Sequence, residues 1–303
     1  MSLISWNCRG LGNLRLVRDL CQMVKEKRPS FVFRLETIST KHRMELLRVN
    51  MGFVGAVVVN PIGRSGGLAL MWKDDCNLEI FNYSRRYINA IIKSRDDNFV
   101  WKFTGFYGNP ETAKREESWS LLRHLKTHAP LPWLCVGDFN EILSQDEQEG
   151  DVVLRERQMD GLHTALADCQ LGDLGYFGSR FTWSNKHGNN TFTKERLDRA
   201  VANSEWCGRF HIVSAMILAA RTSNHSPVHV LFRDQLMERY SYKRRFKFED
   251  SWYTDVECQT LIAAEWENDV LGGDSMHDVQ RWLSTCQQTL SRWSRENFGN
   301  AGK

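Results

Sequence analysis

The feature that most constrains this chain is a short apolar run that ends in polar residues. Residues 132–140 read Pro-Trp-Leu-Cys-Val-Gly-Asp-Phe-Asn. A short run of apolar residues that is closed by glycine predicts a buried strand. Side chains two positions apart on an extended segment share a face, so we expect Asp138 and Asn140 to point to one spot beyond the strand. A carboxylate and an amide there could take a proton and hold a reacting group, although a surface turn would carry the same residues.

Similar runs recur through residues 1–235 and alternate with helical spacing. Strands are expected at 3–6, 31–33, 53–59, 66–72, 80–81, 87–92, 99–106, 131–136, 212–217 and 228–232. Helices are expected at 16–27, 113–128, 162–169 and 204–210. Strands that alternate with helices in this way predict an α/β fold. An acidic stretch at 145–151 is expected to be a solvated loop, and 188–190 to be the turn of a hairpin.

The composition is typical of a globular protein and excludes few functions. The 303 residues are 42% hydrophobic and carry a net charge of +3, which permits nucleic-acid binding without requiring it. The eight cysteines form no Cys-x-x-Cys pair, so we expect free thiols in a reducing compartment and no zinc site. We find no signal-peptide pattern and no apolar run of membrane-spanning length, which predicts an intracellular protein.

The character of the chain changes after about residue 233. Residues 242–247 are basic and aromatic, and the segment beyond them has helical spacing. Apolar residues recur on one stripe of the last helix: Val279, Trp282, Leu283, Cys286, Leu290 and Trp293. We therefore expect a main domain at 1–235, followed by a basic linker and helical extension at 236–303. The apolar stripe either packs on the main domain or belongs to a following domain.

Polar residues gather where the predicted strands end. The set comprises Asn7, Glu36, Tyr107, Asp138, Asn140, Thr182, Asp198, Asn224 and His225. Each has a structural explanation when taken alone, such as a helix cap for Asn7 or a surface ion pair for Asp198 beside Arg196 and Arg199. Ligands of sheet proteins commonly bind beyond strand ends, so the set together predicts one shared pocket.

The order of these motifs resembles the endonuclease/exonuclease/phosphatase superfamily. The motifs are Ser5-Trp6-Asn7, Leu35-Glu36-Thr37, Phe106-Tyr107-Gly108, Gly137-Asp138-Phe139-Asn140, Phe181-Thr182-Trp183, Arg196-Leu197-Asp198 and Ser223-Asn224-His225. The sequence around Asn7 and Thr182 is similar to that of the endonuclease domain of plant LINE-type non-LTR retrotransposons. The resemblance implies a four-layered α/β/β/α sandwich of two packed mixed sheets. The helical extension resembles the connector that precedes reverse transcriptase in those polyproteins.

The resemblance also implies roles for individual residues. Metal binding falls to Glu36, Asn7 and Asn224. The catalytic group comprises Asp138 as the base for the attacking water, Asn140 and Tyr107 on the phosphate, and His225 oriented by Asp198. Substrate-binding contacts that support this group fall to Asn109, Thr182 and Ser223. The implied reaction is cleavage of a DNA phosphodiester with Mg²⁺, or Mn²⁺, to leave a 3′-hydroxyl. The implied partners are DNA, the element's RNA and a reverse transcriptase domain, with the nucleus as the place of action.

Two residues depart from the family pattern. Asn224 stands where an aspartate that binds the metal is usual, so we expect lower metal affinity. Arg34 stands where an apolar residue is usual, in a strand that should be buried on both faces. Three functions therefore stay open at this point. They are a DNA endonuclease weakened by Asn224, an inactive remnant that still binds nucleic acid, and a phosphatase of the same fold acting on phosphorylated inositols or lipids.

Overall fold

The structure is a computed structural model in two compact units, Met1–Glu238 and Arg239–Lys303. It describes residues 1–63, 66–94, 97–150, 156–185, 192–220, 222–234, 248, 250–267 and 276–298. Three predicted features lie outside these ranges: the domain boundary after residue 235, the basic aromatic segment at 242–247 and the hairpin turn at 188–190.

The first unit is built on two large sheets and one small one. The seven-stranded sheet runs in the order β11 (Phe177–Gly178), β15 (Phe210–Ile217), β16 (Val228–Asp234), β1 (Ser2–Asn7), β2 (Phe31–Leu35), β4 (Leu68–Trp72) and β3 (Gly55–Val59). The six-stranded sheet runs in the order β10 (Gly172–Asp173), β14 (Asp198–Ala202), β8 (Trp133–Asp138), β7 (Val100–Tyr107), β6 (Tyr87–Lys93) and β5 (Asn77–Tyr83). A small sheet joins β12 (Trp183–Ser184), β13 (Lys194–Glu195) and β9 (Gln148–Glu149). Both large sheets are mixed, because β1–β2 and β7–β8 pair in parallel while most neighbours are antiparallel.

Four of the described helices cover the outer faces of the two large sheets, and a fifth, short one places Trp206 in the core between the sheets. They are α1 (Leu14–Lys27), α2 (Lys41–Asn50), α3 (Arg115–Thr127), α4 (Glu156–Cys169) and α5 (Ser204–Arg209). The sequence analysis did not predict α2, since this short helix buries only Met44 and Leu47 and so shows little periodicity. Its N-terminus is nevertheless marked by Thr40, whose hydroxyl accepts a hydrogen bond from the Arg43 amide over 3.3 Å.

Three apolar layers hold the sandwich together. Phe31 and Phe33 on β2 pack between the sheets against Phe103 on β7. A second cluster lies between the seven-stranded sheet and helices α1 and α2, and a third between the six-stranded sheet and helices α3 and α4. The order of layers is therefore helix, sheet, sheet, helix, as predicted.

The second unit contains a pair of helices with a small core of its own. Helices α6 (Val256–Glu267) and α7 (Met276–Phe298) bury Cys258, Leu290 and Trp293, and the Trp293 indole donates to Glu257 Oε2 over 2.9 Å. The predicted helical extension is confirmed. Within the described part of the chain, no helix is both long and apolar enough to cross a bilayer.

The acidic stretch at 145–151 is solvated only in part, because Asp146 and Glu149 are exposed while Glu147 is not. Glu147 is buried and accepts hydrogen bonds from Arg196 Nη1 over 2.6 Å and from Arg199 Nη2 over 2.8 Å. The same two arginines contact Asp173, so neither pairs with Asp198 between them. The charge pattern could not reveal this, because the partners are brought together by the pairing of β13 with β9. All eight cysteines are free, as predicted.

Arg34 is buried in the layer between the seven-stranded sheet and α1. The side chain is fully buried, Nη2 donates to Cys8 Sγ over 3.0 Å, and Nε and Nη1 have no partner among the described residues. A guanidinium without a counter-charge in an apolar layer is costly, because its lost hydration is not replaced.

We therefore expect Arg34→Met, which keeps the length and removes the charge, to raise the free energy of unfolding by about 1–3 kcal/mol. Urea unfolding measures this change. Arg15→Met on the exposed face of α1 is the matched control and should change stability by less than about 0.5 kcal/mol. A lower stability for Arg34→Met would show that the buried guanidinium has a compensating partner.

Candidate active site

Strand register places the candidate polar residues at one rim of the sandwich. Asp138 at the end of β8 lies opposite Asp198 on β14 and opposite Tyr107 on β7. Asn7 ends β1, and Glu36 follows the last residue of the neighbouring β2. A hydrogen bond from Asn7 Nδ2 to Asp138 Oδ2 of 2.9 Å joins the two sheets at this rim. Residues from distant parts of the chain therefore meet at one place.

Two glycines allow β7 and β8 to approach closely beside the site. A Cβ atom on Gly137 would lie 1.9 Å from the Phe106 carbonyl oxygen, and one on Gly108 would lie 2.2 Å from the Phe139 oxygen. Any side chain at either position would force the strands apart. The glycine before Asp138 is therefore required by the close approach of β7 and β8.

Asn140 reaches the site by a different backbone path from the one that we predicted. The strand ends at Asp138, and Asn140 has a φ of 54°, in the left-handed region. The alternation rule for extended segments does not apply there. The Asn140 amide N–H donates to Asp138 Oδ1 over 2.9 Å, and its side-chain Nδ2 donates to the Gly108 carbonyl over 3.0 Å. The two residues are adjacent, but because of a turn and not because they share a strand face.

An imidazole and two carboxylates form the buried centre of the rim. His225 Nδ1 lies 2.8 Å from Asp198 Oδ2 and 3.9 Å from Asp138 Oδ2. All three side chains are buried, and their candidate ligand atoms lie within 4.8 Å of one another. The contact of Nδ1 with Asp198 leaves Nε2 as the nitrogen that can reach a substrate.

The environment of the buried centre raises the pKa values of Asp138 and His225. Burial, together with the Asp198 carboxylate directly opposite, raises the pKa of Asp138 to about 7. Burial alone would lower the pKa of His225, but Asp198 and Asp138 outweigh it and raise this pKa above its usual value. A carboxylate that titrates near neutral pH is suited to accept a proton, and an imidazolium is suited to donate to an anion.

Thr182 and Ser223 hold the loops that carry the centre. The Thr182 hydroxyl accepts from the Leu197 and Asp198 amides over 3.0 and 2.9 Å. The Ser223 hydroxyl accepts from the His225 amide over 3.1 Å and donates to the Asn7 carbonyl over 3.0 Å. Both side chains are buried, and their hydrogen bonds to backbone groups fix the segments that carry Asp198, His225 and Asn7.

Glu36 and Tyr107 form the other side of the rim. The Tyr107 hydroxyl donates to Glu36 Oε1 over 2.5 Å, and burial together with the Glu36 carboxylate raises the pKa of Tyr107. Glu36 has a φ of 47°, a conformation that residues other than glycine rarely adopt and that often marks functional positions. Asn7 Oδ1 accepts from the Arg9 amide over 3.2 Å.

Asn224 and Asn109 have partners that the sequence analysis did not anticipate. The Asn224 side-chain oxygen, in the orientation that satisfies its neighbours, accepts from Trp183 Nε1 and from Arg9 Nη1, each over 2.8 Å. Asn109 is buried, and its side-chain oxygen accepts from the Glu111 amide over 3.2 Å, which is a local turn contact.

The chemistry of the oxygen donors fits a hard divalent cation. An ion here would be held by the Glu36 carboxylate and by the amide oxygens of Asn7 and Asn224, all three of which contact Arg9. This donor set suits an ion that keeps several waters and binds one or two carboxylates. The Asp138, Asp198 and His225 group is a second candidate ligand set. Hydrogen bonds engage oxygens of both sets. In the second set they involve Asp198 Oδ2 and both Asp138 oxygens, and in the first set Glu36 Oε1, Asn7 Oδ1 and the Asn224 side-chain oxygen.

Two arginines at the rim were missed as functional candidates. Arg9 contacts Glu36 and Asn224, and the Arg86 guanidinium lies over the Tyr107 ring at 5.3 Å and donates to the Gly108 carbonyl over 3.4 Å. Arg9 follows the Ser5-Trp6-Asn7 motif by two residues, so its position was a usable signal. Arg86 had none, because the turn that carries it meets the site only in the folded sheet.

Two packed mixed sheets with acids and a histidine at one rim define a class of enzymes that hydrolyse phosphate esters. Residues 4–225 match the model of the endonuclease/exonuclease/phosphatase family. The chain belongs to this family, as its motifs predicted. A comparison with curated proteins gave no match.

Solved structures share the fold at low sequence identity. The 3′ phosphatase NExo from Neisseria, bound to a product DNA hairpin, is 17% identical with a TM-score of 0.59, over 77% of this chain and 99% of that chain. The endonuclease domain of TRAS1, a telomere-specific non-LTR retrotransposon, is 14% identical with a TM-score of 0.55, over 77% and 99%. The AP endonuclease LMAP from Leishmania major is 15% identical with a TM-score of 0.60, over 77% and 87%. At these identities the likeness shows the fold alone.

Proposed function

We propose that this protein is a divalent-metal-dependent endonuclease that hydrolyses a DNA phosphodiester and leaves a 3′-hydroxyl. The observation that carries the proposal is the buried centre in which His225 lies between Asp198 and Asp138, beside Glu36 and Tyr107. Phosphoryl transfer needs an in-line nucleophile and neutralisation of charge on the phosphate, and this group of side chains can supply both.

Each side chain has a role that its contacts support. Asp138, with its raised pKa, takes the proton from the attacking water. His225 is held by Asp198 at Nδ1 and donates from Nε2 to a phosphate oxygen. Tyr107 is the strand partner of Asp138, and the Asn140 backbone N–H donates to Asp138 Oδ1, so both residues are placed to orient the phosphate.

The proposed metal ligands are Glu36, Asn7 and Asn224, and the ion is Mg²⁺ or Mn²⁺. When bound, the ion would draw charge from the phosphate oxygens. Asn224 supplies an oxygen without a charge, so metal affinity and activity should be lower than with an aspartate at this position.

The substrate and partners follow from the motif wording and from the TRAS1 likeness. We assign the activity to the nicking of target DNA by a plant LINE-type element. The element's RNA and a reverse transcriptase domain are then the partners, and the nucleus is the place of action. The polar rim, the basic contacts of Arg9 and Arg86, and DNA in the NExo structure are consistent with a nucleic-acid substrate.

Nicking of supercoiled plasmid by the full chain with Mg²⁺ tests the proposal. Relaxed circles that carry a 3′-hydroxyl are the expected product, and extension of the nick by a DNA polymerase detects that end. Binding without nicking would favour the inactive remnant. Phosphate release from inositol phosphates without nicking would favour the phosphatase.

Glu36→Gln separates the two candidate metal sites. If the ion binds at Glu36, loss of this carboxylate should weaken Mn²⁺ binding by roughly tenfold or more. Electron paramagnetic resonance of free Mn²⁺ measures binding without any need for activity.

Glu45→Gln, on the exposed face of α2, is the matched control and should bind Mn²⁺ like the original chain. If Glu36→Gln binds Mn²⁺ unchanged and Asp198→Asn loses Mn²⁺ binding, the ion binds at the Asp138–Asp198–His225 group instead.

A further inference from the structure

Arg9 lies against the carboxylate and the amide that we propose as metal ligands. Its Nε atom is 3.6 Å from Glu36 Oε2, and its Nη1 atom is 2.8 Å from the Asn224 side-chain oxygen. The Arg9 side chain is 56% exposed and that of Glu36 is 18% exposed. The guanidinium therefore reaches these oxygens from the solvent side, which is also the side open to an ion.

The backbone holds Arg9 in this place. Arg9 and Gly10 both have positive φ, at 45° and 99°. Amides on either side of Arg9 donate to the segment that carries Glu36: Cys8 to the Leu35 carbonyl over 3.0 Å and Gly10 to the Glu36 carbonyl over 2.8 Å. The Arg9 amide itself donates to Asn7 Oδ1. The position of Arg9 beside Glu36 is thus set by the folded loop and not by the side-chain conformation alone.

The opposite charges of Arg9 and Glu36 balance each other without any added ion. Glu36 is the one carboxylate there among the described residues that Arg9 contacts, and Asn224 is neutral. A guanidinium offers several N–H donors and carries a permanent positive charge, so it satisfies oxygens that a divalent ion would otherwise bind.

We propose that Arg9 is a built-in competitor of the divalent ion for Glu36 and Asn224. The residue thereby sets the ion concentration at which the site becomes loaded. Because its side chain is largely exposed, Arg9 can turn toward solvent or toward a substrate phosphate when an ion enters. The inference rests on the proposed function only in assigning the ion to Glu36 and Asn224.

Mn²⁺ binding to the full chain tests the competition, again by electron paramagnetic resonance. Arg9→Gln removes the charge and should lower the Mn²⁺ dissociation constant by roughly five- to tenfold. Arg9→Lys keeps a cation and should stay close to the original value. Arg18→Gln, which removes an exposed arginine from α1, is the matched control and should change little. An unchanged or higher dissociation constant in Arg9→Gln would overturn the proposal, as would equal binding by the original chain and Glu36→Gln.

A double-mutant cycle with Asn224→Asp provides a second readout. Trp183 Nε1 and Arg9 Nη1 both donate to residue 224, so a carboxylate fits there without rearrangement. When Arg9 is present, the carboxylate of Asn224→Asp pairs with the guanidinium, so the substitution should raise the Mn²⁺ affinity only slightly. In the Arg9→Gln background the same substitution should raise the Mn²⁺ affinity several-fold more. Equal gains in the two backgrounds would show that Arg9 does not compete.

These binding measurements stand apart from the nicking assay. Shifted Mn²⁺ binding without nicking by any variant would support the competition and reject the proposed endonuclease. Plasmid nicking, together with an Mn²⁺ dissociation constant that is the same in Arg9→Gln and the original chain, would support the endonuclease and reject the competition.

Discussion

Asp138→Asn should reduce plasmid nicking by roughly 10³-fold or more, the largest effect that we expect from a single substitution. The change keeps the shape of the side chain and removes the group that accepts a proton from water. Initial rates of conversion from supercoiled to relaxed plasmid, at pH 8 with saturating Mg²⁺, measure the effect.

The pH dependence of the melting temperature shows whether Asp138→Asn is folded and whether the ionised Asp138 carboxylate destabilises the original chain. The raised pKa means that the folded protein binds a proton at Asp138 more tightly than the unfolded chain does. The stability from this proton is complete below about pH 4 and is lost as pH rises through about 7. The melting temperature of Asp138→Asn, relative to the original chain, should therefore improve between pH 4 and pH 8.

Asp168→Asn, which removes an exposed carboxylate from α4, is the control and should nick plasmid at the same rate as the original chain at each pH. Full nicking by Asp138→Asn would reject Asp138 as the base.

His225→Gln should reduce nicking by roughly 10²- to 10³-fold. An amide can still donate one hydrogen bond, but it has no positive charge to place against the developing charge on the phosphate. Asp198 would also lose the imidazole that it contacts at 2.8 Å. Single-turnover nicking rates measure the loss, and plasmid binding should be much less affected.

The chain contains a suitable control for His225. His229 lies four residues further on, in β16, and is also buried, but its Cα partner across the sheet is Ile4 and it is not in the site. His229→Gln should nick at the original rate. If both histidine variants lost activity equally, the effect would be structural and His225 would have no special role.

Much of the fold could be predicted from local pattern. Short apolar runs such as 133–138 are buried strands, and Leu16, Leu20 and Val24, at helical spacing, form the buried face of α1. Burial of apolar side chains is a property of the local sequence, so the pattern is visible before the fold is known. The short helix α2 was missed because it buries too few side chains to leave such a pattern.

The sequence by itself determined the alternation of strands and helices, the family, and the residue types available at the strand ends. Only the tertiary structure decided which of those residues touch. It placed Asp198 opposite Asp138, and it brought Asn140 to the rim because Asn140 itself has a left-handed backbone conformation. It also buried Glu147 between two arginines and placed Arg9 in contact with Glu36. The physical reason is that strand pairing and loop closure join segments more than 100 residues apart, as in the contact between Asn7 and Asp138. No pattern within one segment encodes such a distance.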